Sequence, residues 1–263
     1  MSISLTPYTL GTLCTGCSWT VVSEDLLAEQ IARIALGQSL HVQRILAGAN
    51  PAAPSTSTGA STSAIAMLTV AYGDDPWHRD GWIFQAMSWI AANKASPGGM
   101  IRSPQMILAH KGFDGLQLEL DTNTGTVSAA IIFEDKATDN PRDTIRDDVW
   151  SEFKEMEDGV SDNVLTSEVV AILQTHPNID PYLAIQNIIW NEARHYRISI
   201  TVGDTHSDDT GRTRLFKDYD TTVGGNIQRR RGETFHINNL RQWMNSLAQK
   251  TIAAIHAQTA ANV

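Results

Sequence analysis

The segment from residue 114 to residue 136 constrains the fold of this chain more than any other segment. Residues 116–120, LQLEL, alternate apolar and polar side chains, which is the period-two pattern of a strand with one buried face. Residues 121–125, DTNTG, are turn formers, and residues 127–133, VSAAIIF, are mostly apolar and include β-branched types. The segment therefore predicts an antiparallel hairpin whose second strand lies in the middle of a sheet.

Charged side chains lie where both strands of this hairpin reach the same end. Asp114 precedes the first strand, and Glu134, Asp135 and Lys136 follow the apolar run of the second. Because side chains alternate along a strand, Glu134 and Lys136 share one face, whereas Asp135 points to the other and offers its backbone carbonyl. An antiparallel turn sets residue 114 beside residues in the low 130s. The sequence therefore predicts two carboxylates and one ammonium group in a common pocket.

Such a set of groups suits the hydrolysis of a phosphodiester bond. The reaction needs an activated water, charge stabilisation on the phosphate and neutralisation of the leaving oxygen. A divalent metal held by carboxylates can serve all three needs, and a nearby lysine can orient or help deprotonate the water. Magnesium prefers hard oxygen ligands and uses one or two protein carboxylates. The same hairpin could instead carry only a surface Glu–Lys pair of little energetic value.

The two motif pieces, residues 113–115 (FDG) and residues 132–136 (IFEDK), resemble the PD-(D/E)xK nuclease superfamily, which includes many restriction enzymes and phage-defence effectors. The resemblance covers roughly residues 80–155. It implies an α/β (α+β) fold with a restriction-endonuclease-like mixed central β-sheet flanked by helices. The chain departs from the family pattern in one place, because Phe113 stands where the proline precedes the first acid.

The resemblance also implies roles for particular residues. Asp114 and Glu134 would bind Mg²⁺ or Mn²⁺, with Asp135 as a further metal ligand through its carbonyl. Lys136 would act on the attacking water. The family commonly has a helix before the first acid that carries a Glu or Gln facing the site, and Gln85 fits that place.

The function that follows is a metal-dependent endonuclease acting on DNA, and the resemblance implies an effector subunit of an antiviral defence or restriction system. No GxxxxGK[ST] motif occurs, so the chain has no visible ATP motor of its own. We therefore expect a protein partner, a helicase or ATPase subunit, or a homo-oligomer. The alternative is a catalytically inactive nuclease-like fold that serves as a binding or assembly subunit.

The charge of the chain bears on how it would meet nucleic acid. A net charge of −9 and a pI of about 5.3 argue against a protein that coats nucleic acid through its overall field. Basic residues nevertheless cluster near the C-terminus, and they favour either a solvated surface or a local basic face. The cluster consists of Arg212, Arg214, Lys217, Arg229, Arg230, Arg231 and Arg241.

Two further groups of polar residues contain types that can bind metal ions, but their patterns favour other interpretations. Cys14 and Cys17 form a single CTGC, and no second pair follows to complete the four ligands of structural zinc, so two half-buried thiols are expected. A second group, Asp204, His206, Asp208 and Asp209, lies in a polar segment that favours solvated turns over a metal site.

The rest of the chain predicts two parts. Residues 1–64 are expected to form an N-terminal extension, with residues 1–22 irregular and a flexible Ser/Thr/Ala-rich loop at 50–63. Residues 65–263 are expected to form the nuclease-like α/β domain with C-terminal helices, with a loop at 204–228. Helices are predicted over 23–36, 80–93, 143–157, 162–174, 180–195 and 238–257, and further strands over 105–110 and 197–202.

The N-terminus lacks the basic start and long apolar run of a signal peptide, and no apolar run of about 18 residues appears. We therefore expect a cytoplasmic protein with no membrane contact.

Overall fold

Seven strands form one mixed sheet through the middle of the molecule. The computed structural model describes residues 1–104, 112–121, 124, 126–190 and 193–260. The strands are β1 (Ile3–Leu10), β2 (Cys14–Val21), β3 (Met100–Ile101), β4 (Gly115–Leu120), β5 (Val127–Lys136), β6 (Arg194–Val202) and β7 (Arg230–His236). Their order across the sheet is β1-β2-β7-β6-β5-β4-β3, with the four central strands parallel and β1 and β4 antiparallel to their neighbours.

Helices cover both faces of this sheet. They are α1 (Glu24–Ala35), α2 (Ser39–Leu46), α3 (Thr58–Leu68), α4 (Trp77–Ala95), α5 (Pro141–Thr144), α6 (Trp150–Glu157), α7 (Asp162–Leu173), α8 (Pro181–Trp190), α9 (Asp209–Leu215), α10 (Tyr219–Thr222) and α11 (Leu240–Ala260). A π-helical turn, Ile145–Val149, joins α5 to α6. The chain is thus a mixed α/β protein, as predicted, and none of its described helices is long and apolar enough to cross a membrane.

The predicted hairpin is confirmed. Strands β4 and β5 pair in antiparallel register, with Gly115 opposite Phe133, and the Asp114 amide donates to the Phe133 carbonyl at 3.0 Å. The second strand is longer than its apolar run, because β5 continues through Lys136 and pairs there with β6. The acidic and basic residues therefore lie on a paired strand rather than on a loose loop.

The alternation of side chains along β5 separates two cores. Ile131 and Phe133 pack on the face covered by α4, α1 and α11, whereas Ala130 and Ile132 pack on the face covered by α6 and α7. By the same alternation Glu134 and Lys136 lie on the α6 face and Asp135 on the α4 face. The sheet thus divides the candidate site residues between its two sides.

The N-terminal segment differs from its prediction. Residues 1–22 are predicted to be irregular, but they form the hairpin of β1 and β2. Gly11, with a φ of +54°, occupies the turn, and Gly16 allows β2 to approach β7 closely, since a Cβ there would meet the Gly232 carbonyl. The pairing with β7 is distant in sequence, so no local pattern indicates it.

Two other predictions are corrected by the structure. The loop prediction is wrong for residues 58–63, which begin α3, and the Ser57 hydroxyl caps that helix by accepting from the Ala60 amide. Residues 230–236 carry no strand prediction and form β7. Their sequence, RRGETFH, has little strand propensity, and pairing with β2 on one side and β6 on the other overrides it.

The helices predicted over 23–36, 80–93, 143–157, 162–174 and 238–257 lie close to their predicted positions, and Ser23 caps α1 by accepting from the Leu26 amide. The helix predicted over 180–195 is too long, because β6 begins at Arg194, and the predicted loop at 204–228 contains α9 and α10. The predicted strand at 105–110 lies outside the described residues, as do residues 122, 123 and 125 of the predicted turn. Residues 1–64 and 65–263 contribute strands to the same sheet, and α1 packs against α11.

Candidate functional site

The Asp114 carboxylate is held from two sides at the point where β4 begins. The Gln85 side-chain amide of α4 donates to Oδ1 at 2.5 Å, and the Asp135 backbone amide donates to Oδ2 at 2.8 Å. A helix and the neighbouring strand therefore fix the orientation of this carboxylate. The structure thus brings Gln85 to Asp114, in the place that the family resemblance implies for it.

Glu134 and Lys136 lie side by side on β5. The Lys136 ammonium is 3.1 Å from Glu134 Oε2, and the Glu134 side chain is only 4% exposed. Lys136 also lies 3.4 Å from Oε2 of Glu152, which comes from α6. Sequence reasoning missed Glu152, because nothing distinguishes it from the other polar residues of its helix.

Burial and mutual charge shift the pKa values of these groups. Burial raises the pKa of Glu134 well above its ordinary value, and the charge of Asp114 raises it further. Burial likewise raises the pKa of Asp114, against the charge of Lys136. Burial alone would lower the pKa of Lys136, but the charges of Glu134, Glu152 and Asp114 outweigh it and raise that pKa. Three carboxyl groups thus interact electrostatically with one ammonium group.

Asp135 differs from its two neighbours on β5. Its side chain is buried on the α4 face, and Oδ1 has no hydrogen-bond partner among the described residues. Burial raises its pKa to about 7, against the opposing charge of Arg197. The Asp135 amide points toward Asp114, and the carbonyl of a strand residue points to the same side as its amide. The backbone of Asp135 therefore faces the carboxylate that it would assist as a metal ligand.

The donor set fits a hard divalent cation. Among the described residues, no group of three or more His, Cys, Asp or Glu side chains is arranged to hold a metal ion. Magnesium, however, is commonly held by one or two carboxylates together with waters and substrate oxygens. Asp114 and Glu134 supply two interacting carboxylates, and the ionised forms of both are disfavoured by burial. A cation would relieve that cost, because it supplies the positive charge that one ammonium group provides only in part.

The arginines at 229–231 make contacts within the fold. Arg229 pairs with Glu157 at 2.7 Å, and Arg231 pairs with Glu119 at 2.8 Å. Arg230 is buried and donates to backbone carbonyls of the β1–β2 turn and of residues 223–225. These three arginines are therefore structural, and they form neither a solvated surface nor an open basic face.

Other members of the cluster are also engaged. Arg212 pairs with Asp209 at 2.7 Å, and Arg241 pairs with Asp80, a fully buried carboxylate, at the same distance. The Asp208 carboxylate caps α9 by accepting from the Gly211 amide. Asp208 thus caps a helix and Asp209 holds an arginine in place, so the predicted solvated turns are in part the helix α9.

The two cysteines lie on opposite faces of β2. Cys14 is buried in the core on the α6 side, and Cys17 packs against the core on the α4 side. Burial raises the pKa of both thiols, that of Cys14 to about 12. Two thiols that point in opposite directions from one strand cannot bind one zinc ion, so they remain separate thiols, one buried and one half-buried.

Comparison with known proteins does not identify a family for this chain. The chain matches no family model and no curated protein sequence.

Proposed function

We propose that this chain is a metal-dependent endonuclease that hydrolyses phosphodiester bonds of DNA on a restriction-endonuclease-like fold. One observation carries the proposal. The start of β4 and the end of β5 lie at the same end of the paired strands, and there the carboxylates of Asp114 and Glu134 and the ammonium of Lys136 interact. Two interacting acids and one lysine are the groups that metal-assisted phosphodiester cleavage requires.

Each residue has a definite task in this proposal. Asp114 and Glu134, with the Asp135 carbonyl, would hold Mg²⁺ or Mn²⁺, which supplies Lewis acidity and lowers the pKa of a bound water. Gln85 keeps Asp114 oriented through its hydrogen bond to Oδ1. Lys136 remains protonated beside its carboxylate neighbours, so it orients the attacking water and stabilises negative charge on the phosphate rather than removing a proton.

The charge distribution supports delivery of DNA by another molecule. The net charge is −9, and the arginines at 229–231 are occupied within the fold. A nuclease that lacks a strong basic field of its own depends on a partner for affinity. We therefore extend the proposal to a cytoplasmic effector of an antiviral defence or restriction system that acts with a helicase or ATPase subunit, or as a homo-oligomer.

The first test is digestion of plasmid DNA by the purified chain with Mg²⁺, with and without EDTA. We expect cleavage that EDTA abolishes. The variants Glu134→Ala and Lys136→Ala should each lose at least about 100-fold in rate, since each removes a group that acts at the reacting phosphate. Far-ultraviolet circular dichroism should show that both remain folded. Cleavage at the wild-type rate in both variants would contradict the proposal.

A second candidate is a catalytically inactive fold that binds a partner. The ion pair between Lys136 and Glu134 favours it, because an ammonium group neutralises the acid that the cation needs. Thermal denaturation with and without Mn²⁺ separates the two candidates. The nuclease predicts stabilisation that Asp114→Asn abolishes, whereas an inactive module predicts none.

A further inference from the structure

Glu152 approaches the candidate site from α6. The Lys136 ammonium contacts both carboxylates, 3.1 Å from Glu134 Oε2 and 3.4 Å from Glu152 Oε2. The Glu134 side chain is 4% exposed, the Lys136 side chain 23% and the Glu152 side chain 41%. Glu134 is therefore the inner partner of Lys136, and Glu152 is the outer, solvent-facing partner.

The π-helical turn before α6 decides which residue faces Lys136. A π-helical turn holds one residue more than an α-helical turn, and one residue of an α-helix corresponds to a rotation of about 100°. Residues after Ile145–Val149 are therefore rotated relative to an uninterrupted helix. In the observed rotation Trp150 and Phe153 are buried in the core while Glu152 points at Lys136.

Binding of a cation would change the balance between the two carboxylates. Lys136 contacts Oε2 of Glu134, an oxygen atom that a cation bound to this carboxylate would compete for, and a cation repels an ammonium group. Lys136 must then weaken its contact with Glu134. Glu152 lies within reach on the more exposed side, 3.4 Å from the ammonium.

We propose that Glu152 is a positioning residue, which retains the Lys136 ammonium at the reaction site while a divalent cation occupies Glu134. This role rests on the proposed nuclease function. Without Glu152, the ammonium group would have no fixed partner once the cation is bound, and it would spend only part of its time beside the attacking water. A small displacement of a catalytic group costs up to about 100-fold in rate.

The test compares Glu152→Gln with Glu155→Gln, which removes the same charge from an exposed position on the same helix. We expect kcat to fall about 10- to 100-fold in Glu152→Gln and to stay at the wild-type value in Glu155→Gln. Affinity for Ca²⁺, measured by calorimetry without DNA, should change by less than about fivefold in either variant, since Glu152 is a partly exposed charge. Glu152→Asp should recover part of the rate.

A second readout does not depend on cleavage. The chain has six lysines, so the ¹³Cε signals of its lysine side chains can be resolved, with Lys136→Ala assigning the relevant one. In Glu152→Gln we expect the order parameter of Lys136 to fall on addition of Ca²⁺, while it stays unchanged without the cation because Glu134 still holds the ammonium.

The outcomes separate the two proposals. A wild-type chain that cleaves DNA, with Glu152→Gln matching Glu155→Gln in both kcat and Lys136 order, would overturn the role of Glu152 alone. A wild-type chain that binds no divalent cation would overturn the nuclease function and the role of Glu152 together.

Discussion

Two clusters of buried charged residues lie on opposite faces of the sheet. They differ in how many acidic groups surround the single basic group of each cluster. On the α4 face the Arg197 guanidinium lies 2.6 Å from Glu233, and it packs over the Phe133 ring at 4.4 Å. The Trp19 indole donates to the same Glu233 oxygen, and Arg197 donates to the Ser88 hydroxyl. The guanidinium is in direct contact with one carboxylate, donors and aromatic rings surround both groups, and the charge of the buried Asp135 also acts on Arg197.

On the α6 face one ammonium group contacts two acids, Glu134 and Glu152, and it interacts with a third, Asp114, at the start of β4. Lys136 contacts Glu134 and Glu152, and the charge of Asp114 acts on both Glu134 and Lys136. Burial and mutual repulsion raise the pKa values of Asp114 and Glu134, which means that their ionised forms cost stability. Carboxyl groups with strongly raised pKa values cluster at functional sites. We call the Arg197 cluster, in which one guanidinium acts on Glu233 and Asp135, the balanced cluster, and we interpret it as structural. The Lys136 cluster, in which one ammonium group acts on three acids, is the unbalanced cluster and the candidate site.

The largest effect that tests this comparison concerns the balanced cluster. Arg197→Met should lower the free energy of unfolding by about 3–5 kcal/mol, because it leaves the Glu233 carboxylate buried without its partner. Urea denaturation followed by tryptophan fluorescence measures the change. Loss of the partner, rather than loss of packing, is the expected cause.

The double variant Arg197→Met, Glu233→Gln provides the matched control. The introduced glutamine would be uncharged and would still accept from the Trp19 indole, so part of the lost stability should return. The remainder reflects Asp135, which also loses the opposing charge of Arg197. If the double variant is as unstable as Arg197→Met, the aromatic packing of the guanidinium holds the cluster, and the contrast in charge balance does not explain its stability.

A smaller effect of opposite sign is expected in the unbalanced cluster. Glu134→Gln should stabilise the protein at pH 8, because it removes a buried charge whose ionised form is disfavoured, and should have little effect at pH 5. A carboxyl whose pKa is raised by folding lowers stability as pH rises from its unfolded pKa of about 4. The same rule applies to Asp135 on the α4 face. Its pKa of about 7 means that its contribution to stability is lost between about pH 4 and pH 7.

Thermal denaturation across pH 5–8 measures this difference, with Glu155→Gln as the exposed control on α6. The gain should be larger at pH 8 than at pH 5, because burial disfavours the ionised form of Glu134. Destabilisation of Glu134→Gln at pH 8 would show that the ion pair with Lys136 outweighs burial, and the two clusters would then be alike.

The comparison also shows what the sequence can and cannot predict. The hairpin of β4 and β5 is local, because a short turn joins its strands, and alternation along it is sufficient to place Asp114, Glu134 and Lys136. Arg197 and Glu233 come from β6 and β7, and their pairing depends on a parallel contact that no local pattern indicates.

The contact of Glu152 with Lys136 could not be predicted from the sequence either, because it also depends on structure that no local pattern indicates. Its position relative to Lys136 depends on the π-helical turn at Ile145–Val149, for which the residues IRDDV carry no recognisable signature. Strand β7 is missed because RRGETFH acquires its strand conformation from two neighbours that are distant in sequence. Tertiary pairing therefore explains what the residue pattern alone does not.

The most direct test of the central claim is anomalous diffraction from crystals soaked in Mn²⁺. The account predicts one strong peak between the carboxylates of Asp114 and Glu134, at roughly the 2.0–2.6 Å that hard divalent cations keep from oxygen ligands, with Lys136 turned toward Glu152. The peak should be absent from Asp114→Asn crystals. No peak at these carboxylates, with Lys136 still bound to Glu134, would contradict the account.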